Sequence, residues 1–210
     1  MSSAKSCSDL KKLDPKAGNG TYVIDPDGEG RGPPFNVTCD MTDKNAVGVT
    51  VISHDSENRT LVDGFEEAGS YSRDINYTEA DLQQLASLTN VSTHCEQFIK
   101  YECFNSLMFR GNHAWWVSRD SAKMTYWGGA KPGSGKCACG MTKPNSCVKS
   151  NEVCNCDAND NLWREDSGLL TDKTSLPVKE LRFGDTDVAQ NNFNEQGYHT
   201  LGKFKCYGIA

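Results

Sequence analysis

The sequence predicts a single disulfide-rich domain of the α+β class, with a twisted antiparallel sheet, one or two short helices and long loops. The 210 residues include ten cysteines, and five of these lie between Cys137 and Cys156. Short β-branched segments bounded by turn formers outnumber segments of helical periodicity. Only 37% of residues are hydrophobic, and no apolar run reaches the length of a membrane span, so this segment is not expected to insert into a bilayer.

Three short strands are predicted in the first quarter of the chain, at residues 21–24, 35–39 and 48–54. Each contains β-branched or aromatic residues and is bounded by Gly, Pro, Asn or Asp. The first two strands are joined by the sequence DPDGEG at residues 25–30, where Pro and Gly favour turns. Residues 1–6 precede the first cysteine and are predicted to be a tail. Without a repeat or a linker, residues 7–210 are predicted to form one domain.

One helix is predicted after Thr78. Thr78 precedes the acidic Asp81 by three residues, which is a capping pattern, and apolar residues then recur at helical spacing. Residues 96–103 alternate in polarity and predict a half-buried strand. Further strands are predicted at residues 114–117, 124–127, 176–183 and 201–207. Residues 128–161, called the cross-linked segment below, have almost no periodicity.

Zinc ligation and disulfide bonding are the two explanations for so many cysteines in one segment. Zinc motifs use cysteines two to four residues apart, often with His, whereas here two C-x-C pairs flank a single cysteine and no His is nearby. Neighbours in a C-x-C pair rarely bond to each other, because the ring would be strained. The pattern therefore predicts a disulfide framework, comprising Cys7, Cys39, Cys95, Cys103, Cys137, Cys139, Cys147, Cys154, Cys156 and Cys206.

Glycosylation sequons of the form N-x-S/T support an oxidising, extracellular compartment. The chain has five of them, where about two would be expected by chance. An excess of sequons and an even number of cysteines together predict a secreted or cell-surface glycoprotein. The predicted glycosylation sites all lie before residue 91: Asn19, Asn36, Asn58, Asn76 and Asn90.

Residues 1–7 lack the apolar core of a signal peptide, so the extracellular prediction requires upstream sequence in the natural chain. The net charge is −6, with Lys and Arg scattered along the sequence. A nucleic-acid partner is therefore not expected.

Several motifs together resemble the fibrinogen-like module of contactin-associated proteins, the neurexin-like adhesion receptors. They extend over nearly the whole chain: VISHD at 51–55, CEQ at 95–97, WWV at 115–117, YWGG at 126–129, KCACG at 136–140, CNCDA at 154–158, LPV at 176–178 and GDTD at 184–187. The resemblance implies a fibrinogen-like fold and a non-enzymatic role in recognition or adhesion.

A second set of motifs is similar to the C-propeptide domain of fibrillar collagens: CSDL at 7–10, GTYVIDP at 20–26, CDM at 39–41 and YECFNS at 101–106. This resemblance implies that Cys7 pairs with Cys39 and that the partner of Cys103 lies in the later half. It also implies assembly as a homotrimer. The chain lacks the two cysteines that link propeptide chains covalently, so only a non-covalent trimer is expected.

Calcium is the cofactor that the sequence allows. Asp25, Asp27 and Glu29 place carboxylates at alternate positions, as in the first half of a calcium-binding loop, and by resemblance Asp25 and Asp27 match propeptide calcium ligands. The alternative is an acidic turn in water. A second candidate pair, Asp157 and Asp160, has an Asx-rich turn as its alternative. Asp185 and Asp187 form a still weaker candidate, with turn capping as the alternative.

All four tryptophans, Trp115, Trp116, Trp127 and Trp163, suit a sugar-binding surface, because flat aromatic faces stack on sugar rings, and the first three are the ligand-surface candidates; core packing is the alternative for each of the four. Strand geometry places Trp115 and Trp116 on opposite faces, so at most one of them packs in the core there. Enzymatic activity is not expected. The sequence GAKPGSGK at 129–136 fails the phosphate-loop pattern at two fixed positions, and the four histidines are isolated.

The sequence therefore predicts a non-enzymatic extracellular module that binds a protein or a glycan. A trimerisation domain of the propeptide kind and a secreted fibrinogen-related lectin are the alternatives.

Overall fold

A computed structural model describes residues 3–187 and 194–210 of the chain. Its strands form one eight-stranded and one four-stranded antiparallel sheet, which agrees with the predicted α+β class. The helices are α1 (Cys7–Leu13), α2 (Asp43–Ala46, a single turn with left-handed residues) and α3 (Leu82–Val91). The strands are β1 (Gly20–Ile24), β2 (Phe35–Asp40), β3 (Val49–Ile52), β4 (Thr60–Val62), β5 (Tyr71–Asp74), β6 (His94–Phe104), β7 (Trp115–Val117), β8 (Lys123–Met124), β9 (Trp163–Leu170), β10 (Glu180–Phe183), β11 (Gln196–Leu201) and β12 (Phe204–Tyr207).

The long strand β6 organises the larger sheet. It pairs with β9 over residues 97–104 and with β11 over residues 99–104, so these two strands lie on its opposite edges. Its first residues pair with β12, which continues the sheet through β3 and β2 to β1, while β11 continues it to β4. The predicted alternation is confirmed, because Ile99, Tyr101 and Cys103 are buried and Phe98 on the other face is exposed.

The core lies between the inner face of this sheet and the smaller sheet β5-β10-β7-β8. Tyr101 of β6 stacks on Phe183 of β10 with ring centroids 4.1 Å apart. Gly197 of β11 faces the same ring, and a Cβ at this position would overlap the Tyr101 hydroxyl. Glycine at position 197 therefore allows the strand to pass over a buried aromatic side chain.

The predicted helix is present, but its predicted cap is wrong. Asp81 is the N-cap of α3, and Asp81 and Gln84 form a reciprocal capping box through bonds of 2.8 Å each. Thr78 instead donates from its backbone N to Ser53 O at 3.1 Å. Asp81 is thus the first residue of the capping box, and Gln84, not Asp81, is the residue three positions after the cap.

The N-terminal residues contact the domain. Ser6 is buried, and its side chain accepts a hydrogen bond from Asp9 N at 3.1 Å, which caps the unpredicted helix α1. The carbonyl of Ala4 accepts from Asp25 N at 2.9 Å. Residues 4 and 6 of the predicted tail therefore pack against the sheet end that carries the acidic loop.

The cross-linked segment has no strand, as predicted, and only two turns of 3-10 helix, Ala138–Met141 and Asn155–Ala158. All ten cysteines are bonded, and members of each C-x-C pair have different partners. Two bonds close loops within the segment and a third anchors it to β6: Cys137–Cys154, Cys139–Cys147 and Cys103–Cys156. The remaining bonds are Cys7–Cys39, as the collagen resemblance implies, and Cys95–Cys206.

Strand β9, which sequence patterns did not predict, is the element on which this segment docks. Trp127 Nε1 donates to Asp166 O at 3.0 Å, and Gly129 N donates to Leu169 O at 2.9 Å. Gly128 and Gly168 approach so closely that a Cβ on either would overlap the backbone of the other. The segment therefore covers the edge of β9 that does not pair with β6.

Three predicted strands differ from the observed ones. Residues 124–127 contribute only Met124 to β8, because Tyr126 and Trp127 turn into the core. Residues 176–183 form a strand only from Glu180 onward, since Pro177 has no N–H for a ladder. Residues 201–207 are divided at Gly202 between the ends of β11 and β12.

Among the described helices, none has the length and apolar character to cross a bilayer.

Candidate functional site

The most distinctive surface of the described chain is the solvent-facing side of β9, β6, β11 and β4, called the outer face below. Leu61 (46% exposed), Phe98 (36%), Trp163 (49%) and Leu169 (40%) lie on it. Isolated exposed apolar residues are common in proteins, but a group of them on adjacent strands is a feature of interaction sites.

Strand register brings these side chains together. Trp163 of β9 pairs with Phe104 of β6, and Leu169 pairs with Phe98. On the other edge of β6, Tyr198 of β11 pairs with Glu102 and then with Leu61 of β4. Because alternate residues of a strand share a face, the exposed positions of four strands form one continuous surface.

An aromatic and guanidinium cluster occupies one end of the outer face. The guanidinium carbon of Arg59 lies 3.5 Å from the centroid of the Tyr198 ring. The Trp163 ring lies 5.7 Å from the Tyr198 ring and 5.6 Å from the Phe104 ring, measured between centroids. These side chains border an open cleft of about 520 Å³, which is lined by Arg59, Glu102, Val148, Asn155, Trp163, Arg164 and Glu165.

Ion pairs form the polar part of the cleft. Arg59 binds Glu102 at 2.7 Å, Arg164 binds Asp160 at 2.6 Å, and Lys100 binds Glu165 at 3.1 Å. The hydrogen bond from Arg164 lowers the pKa of Asp160 below its ordinary value. The four charged residues that line the cleft are therefore all paired, and Trp163 is its aromatic lining residue.

The structure corrects two of the predicted ligand-surface tryptophans. Trp116 and Trp127 are fully buried in the core, and their indole N–H groups donate to Tyr126 O at 2.8 Å and Asp166 O at 3.0 Å. A fully buried ring with a satisfied donor has no face for a ligand. Trp115 is half-buried, with Lys123 Nζ 3.8 Å from its ring centroid.

Trp163, for which sugar stacking and core packing were the alternatives, is the most exposed of the four tryptophans and does not pack in the core. The feature of the sequence that could have identified Trp163 as exposed is the alternation along β9, in which Trp163, Glu165 and Leu169 are exposed and Asp166 is buried. The alternation is irregular, since Arg164 and Gly168 are half-buried. The sequence pattern alone therefore does not predict a strand at these residues.

The acidic loop has one unsatisfied oxygen. Asp25 is buried and its Oδ1 has no hydrogen-bond partner in the described chain. Burial and the neighbouring Asp27 raise the pKa of Asp25. Asp27 Oδ2 accepts from Gly32 N at 2.8 Å, and Glu29 is exposed.

Three of the other four acidic candidates already have partners within the protein. Asp157 is buried, and its carboxylate accepts from Met108 N at 2.8 Å and Arg110 N at 3.2 Å. Asp160 binds Arg164, as described above. Asp185 accepts from Leu107 N at 2.9 Å, and Asp187 is exposed. These contacts fit the turn and loop-anchoring alternatives.

All five sequon asparagines have exposed side chains. None lies on β4, β6, β9 or β11, the four strands of the outer face. Asn36 is on β2, Asn90 is in α3, and Asn19, Asn58 and Asn76 are in connecting segments.

Comparison with known families agrees with the motifs. Residues 1–124 match the fibrillar collagen C-terminal domain family. The chain belongs to this family. It is also similar to Neurexin-4 of Drosophila melanogaster, with 38% identity over 211 residues, 97% of this chain and 16% of the relative. Contactin-associated protein 1 of Mus musculus is 38% identical over 194 residues, and that of Homo sapiens 37% over 194 residues.

The alignments with the mouse and human contactin-associated protein 1 each cover 90% of this chain and 13% of the relative. The chain therefore spans between 13 and 16% of the length of the three relatives. Both resemblances drawn from motifs are confirmed. The collagen family match ends before the cross-linked segment and β9, whereas the Neurexin-4 similarity covers nearly the whole chain.

Proposed function

We propose that the chain is a non-enzymatic recognition module of the adhesion type, which acts outside the cell and binds a protein partner through its outer face. Five disulfides support an oxidising compartment. Similarity to Neurexin-4 and to contactin-associated proteins, the second of which is named for association with contactin, supports a binding role.

The cluster of Trp163, Tyr198 and Arg59 is the observation on which this proposal rests. Trp, Tyr and Arg are the residue types that contribute most to binding at protein interfaces. Here Trp163 and Arg59 are exposed, the half-buried Tyr198 lies between them, and paired charges surround the three, an arrangement with an apolar centre and a polar rim. Four of the five sequons lie away from this face, and the fifth, at Asn58, directly precedes Arg59 at the edge of the cluster.

The test is binding of a fluorescent tetramer of the chain to cells of the source organism and to purified extracellular domains. We expect Trp163→Ala to weaken saturable binding at least tenfold, because it removes the central aromatic ring. Leu13→Ala is the matched control, since Leu13 is 70% exposed on the remote helix α1. Protease treatment of the cells should abolish binding. Equal binding by both variants, or binding abolished only by glycosidases, would contradict a protein partner at this face.

Calcium stabilisation of the acidic loop is a second proposal, supported by the unpartnered Oδ1 of Asp25. Asp25 and Asp27 would hold the ion, whose charge would offset two adjacent carboxylates. A ligand that binds only the folded state raises the unfolding temperature. We expect calcium to raise the melting temperature of the wild type over that in chelator and to have little effect on Asp25→Asn. An equal calcium effect on both proteins would place the ion elsewhere.

A propeptide-like homotrimer and a lectin are the remaining alternatives. Light scattering with calcium and with chelator separates a 23.1 kDa monomer from a trimer. A calcium-dependent trimer would favour assembly over monomeric adhesion. Binding to a glycan array that Trp163→Ala abolishes would favour the lectin.

A further inference from the structure

The acidic protein contains one long stretch without acidic residues. Residues 121–151 include five of the 22 Lys and Arg residues and none of the 28 Asp and Glu residues. The rest of the chain therefore has 17 basic and 28 acidic residues, a net charge of −11, while this stretch carries +5. Scanning for adjacent basic residues misses this asymmetry, because the lysines are spaced along the stretch.

Three of the five lysines lie on three consecutive loops, and the ends of these loops contact one another at a shared base. Trp127 N donates to Lys136 O at 3.0 Å, which closes the loop that carries Lys131. The Cys139–Cys147 disulfide closes the loop that carries Lys143. The third loop carries Lys149 and returns to the base through the Cys137–Cys154 disulfide. The bases meet where Cys137 N donates to Val153 O at 3.0 Å.

These three lysines are available to a ligand. Lys131, Lys143 and Lys149 are exposed, and within residues 3–187 and 194–210 none of them forms an ion pair. The cations of the outer face differ, since Arg59 and Lys100 are paired with carboxylates. Lys149 lies near Asp160 and contributes to its lowered pKa, but that carboxylate is already paired with Arg164. Exposed ammonium groups on constrained loops create a local positive potential in an acidic protein.

We propose that Lys131, Lys143 and Lys149 form a binding site for a sulfated polysaccharide. The partner must be anionic and must carry repeated charges, because the lysines lie on separate loops rather than in one pocket. The only large hydrophobic side chain exposed in the described stretch 121–151 is Val148, so an apolar wedge for a lipid bilayer is lacking. Its aromatic residues Tyr126 and Trp127 are buried, so bases of a nucleic acid have no stacking surface.

This site is distinct from the outer face, although Val148 also lines the Trp163 cleft. The two proposals can fail separately. Loss of polysaccharide binding in a lysine variant leaves the Trp163 cluster intact, and loss of partner binding in Trp163→Ala leaves the lysines intact.

Retention on immobilised heparin, eluted with a sodium chloride gradient, tests the proposal. The test variant is K131Q/K143Q/K149Q. The matched control is K5Q/K12Q/K16Q, which removes three exposed lysines at the other end of the sequence and leaves the same net charge. We expect the test variant to bind heparin about ten- to a hundredfold more weakly than the wild type at low salt, and the control to bind within about twofold. Circular dichroism should show both variants folded.

Four outcomes would overturn the proposal. The first is no retention of the wild type, and the second is an equal loss in the test variant and the control. The third is equal retention on hyaluronan, which carries carboxylates but no sulfate. The fourth is lysine-dependent binding to phosphatidylserine vesicles without binding to heparin, which would assign the site to a membrane surface.

Discussion

The sheet body, meaning the described strands and helices outside residues 128–161, and the cross-linked segment are stabilised in different ways. In the sheet body, β6 forms backbone ladders on both edges and packs one face on a buried aromatic core. The cross-linked segment has no ladder, and three disulfides hold it. Both regions present exposed groups on a fixed framework, the outer face in one and the lysine loops in the other.

The difference shows how a surface can be fixed without secondary structure. A shift of one residue in strand register would move Trp163 and Tyr198 to the other face of the sheet. The outer face therefore depends on the pairing of its strands. Each lysine loop needs only a closed base, because a polyanion tolerates variation in the spacing of charges. Disulfides are suited to this purpose, since they limit the freedom of irregular loops that bury little apolar surface.

Removal of the Cys95–Cys206 bond is expected to have the largest effect on stability. The bond joins β6 to β12 and closes a loop of 111 residues that includes the cross-linked segment, and chain entropy predicts that the variant C95A/C206A loses about 5 kcal/mol. Urea unfolding monitored by tryptophan fluorescence measures this loss. A loss below about 2 kcal/mol would show that the ladder between β6 and β12 already supplies most of the constraint.

Acidification is expected to weaken the sheet body by about 3 kcal/mol through His199. Burial lowers the pKa of His199 to about 4, and its Nε2 lies 2.7 Å from the Tyr71 hydroxyl. Because the unfolded chain takes up this proton near pH 6.5 and the folded chain only near pH 4, stability falls as pH decreases between these values. We expect H199Q, which keeps a hydrogen-bonding group and does not titrate, to lack this part of the loss.

Unfolding free energies of both proteins at several pH values between 4 and 6.5 provide the measurement. Asp166, whose pKa burial raises to about 6, acts with the opposite sign and cancels in the difference because it is present in both. Parallel stability curves for wild type and H199Q would contradict the assignment to His199.

Removal of the Cys139–Cys147 bond is expected to separate the two regions. The bond closes only eight residues, and chain entropy predicts a loss of about 2 to 3 kcal/mol for C139A/C147A. The effect should be local, because both cysteines lie within the cross-linked segment and only Cys139 packs against the core. We expect trypsin to cleave at Lys149 faster in the variant, while hydrogen exchange in β6 stays slow; Lys143 precedes Pro144 and therefore resists trypsin. Faster exchange throughout β6 would mean that the regions unfold together.

The smallest expected effect comes from the capping box of α3. Asp81→Ala removes the acceptor for Gln84 N and is expected to cost about 1 kcal/mol. Thermal unfolding measures the change, and trypsin cleavage in the cross-linked segment should keep its wild-type rate. Faster cleavage there would show that the helix supports the segment.

Predictions from sequence succeeded where a pattern is local. Alternation identified β6, and the spacing of C-x-C pairs identified the disulfide framework, because both depend on neighbouring residues. The partner of Cys103 could be placed only in the later half, since pairing depends on long-range packing. The cap of α3 was assigned to Thr78, because sequence does not show that Thr78 is bound to Ser53.

The candidate sites were harder to predict. The sequence alone does not distinguish Trp116 and Trp127 from Trp163. Only the three-dimensional packing shows that the first two rings are buried and the third is exposed. The outer face combines residues from four strands, of which β9 and β4 were not predicted and β11 only at its last residue, Leu201. The lysine site needed the charge balance of a whole stretch rather than a motif.

The close approach of Gly128 and Gly168 has a consequence for handling the protein. A strand with an uncovered edge offers its backbone N–H and C=O groups to other molecules, and this is a common origin of aggregation. In this chain the cover of β9 is a segment that disulfides hold. Loss of the Cys137–Cys154 bond alone, with the sheet-body disulfides intact, is therefore expected to cause precipitation through intermolecular strand pairing while most of the sheet is still folded.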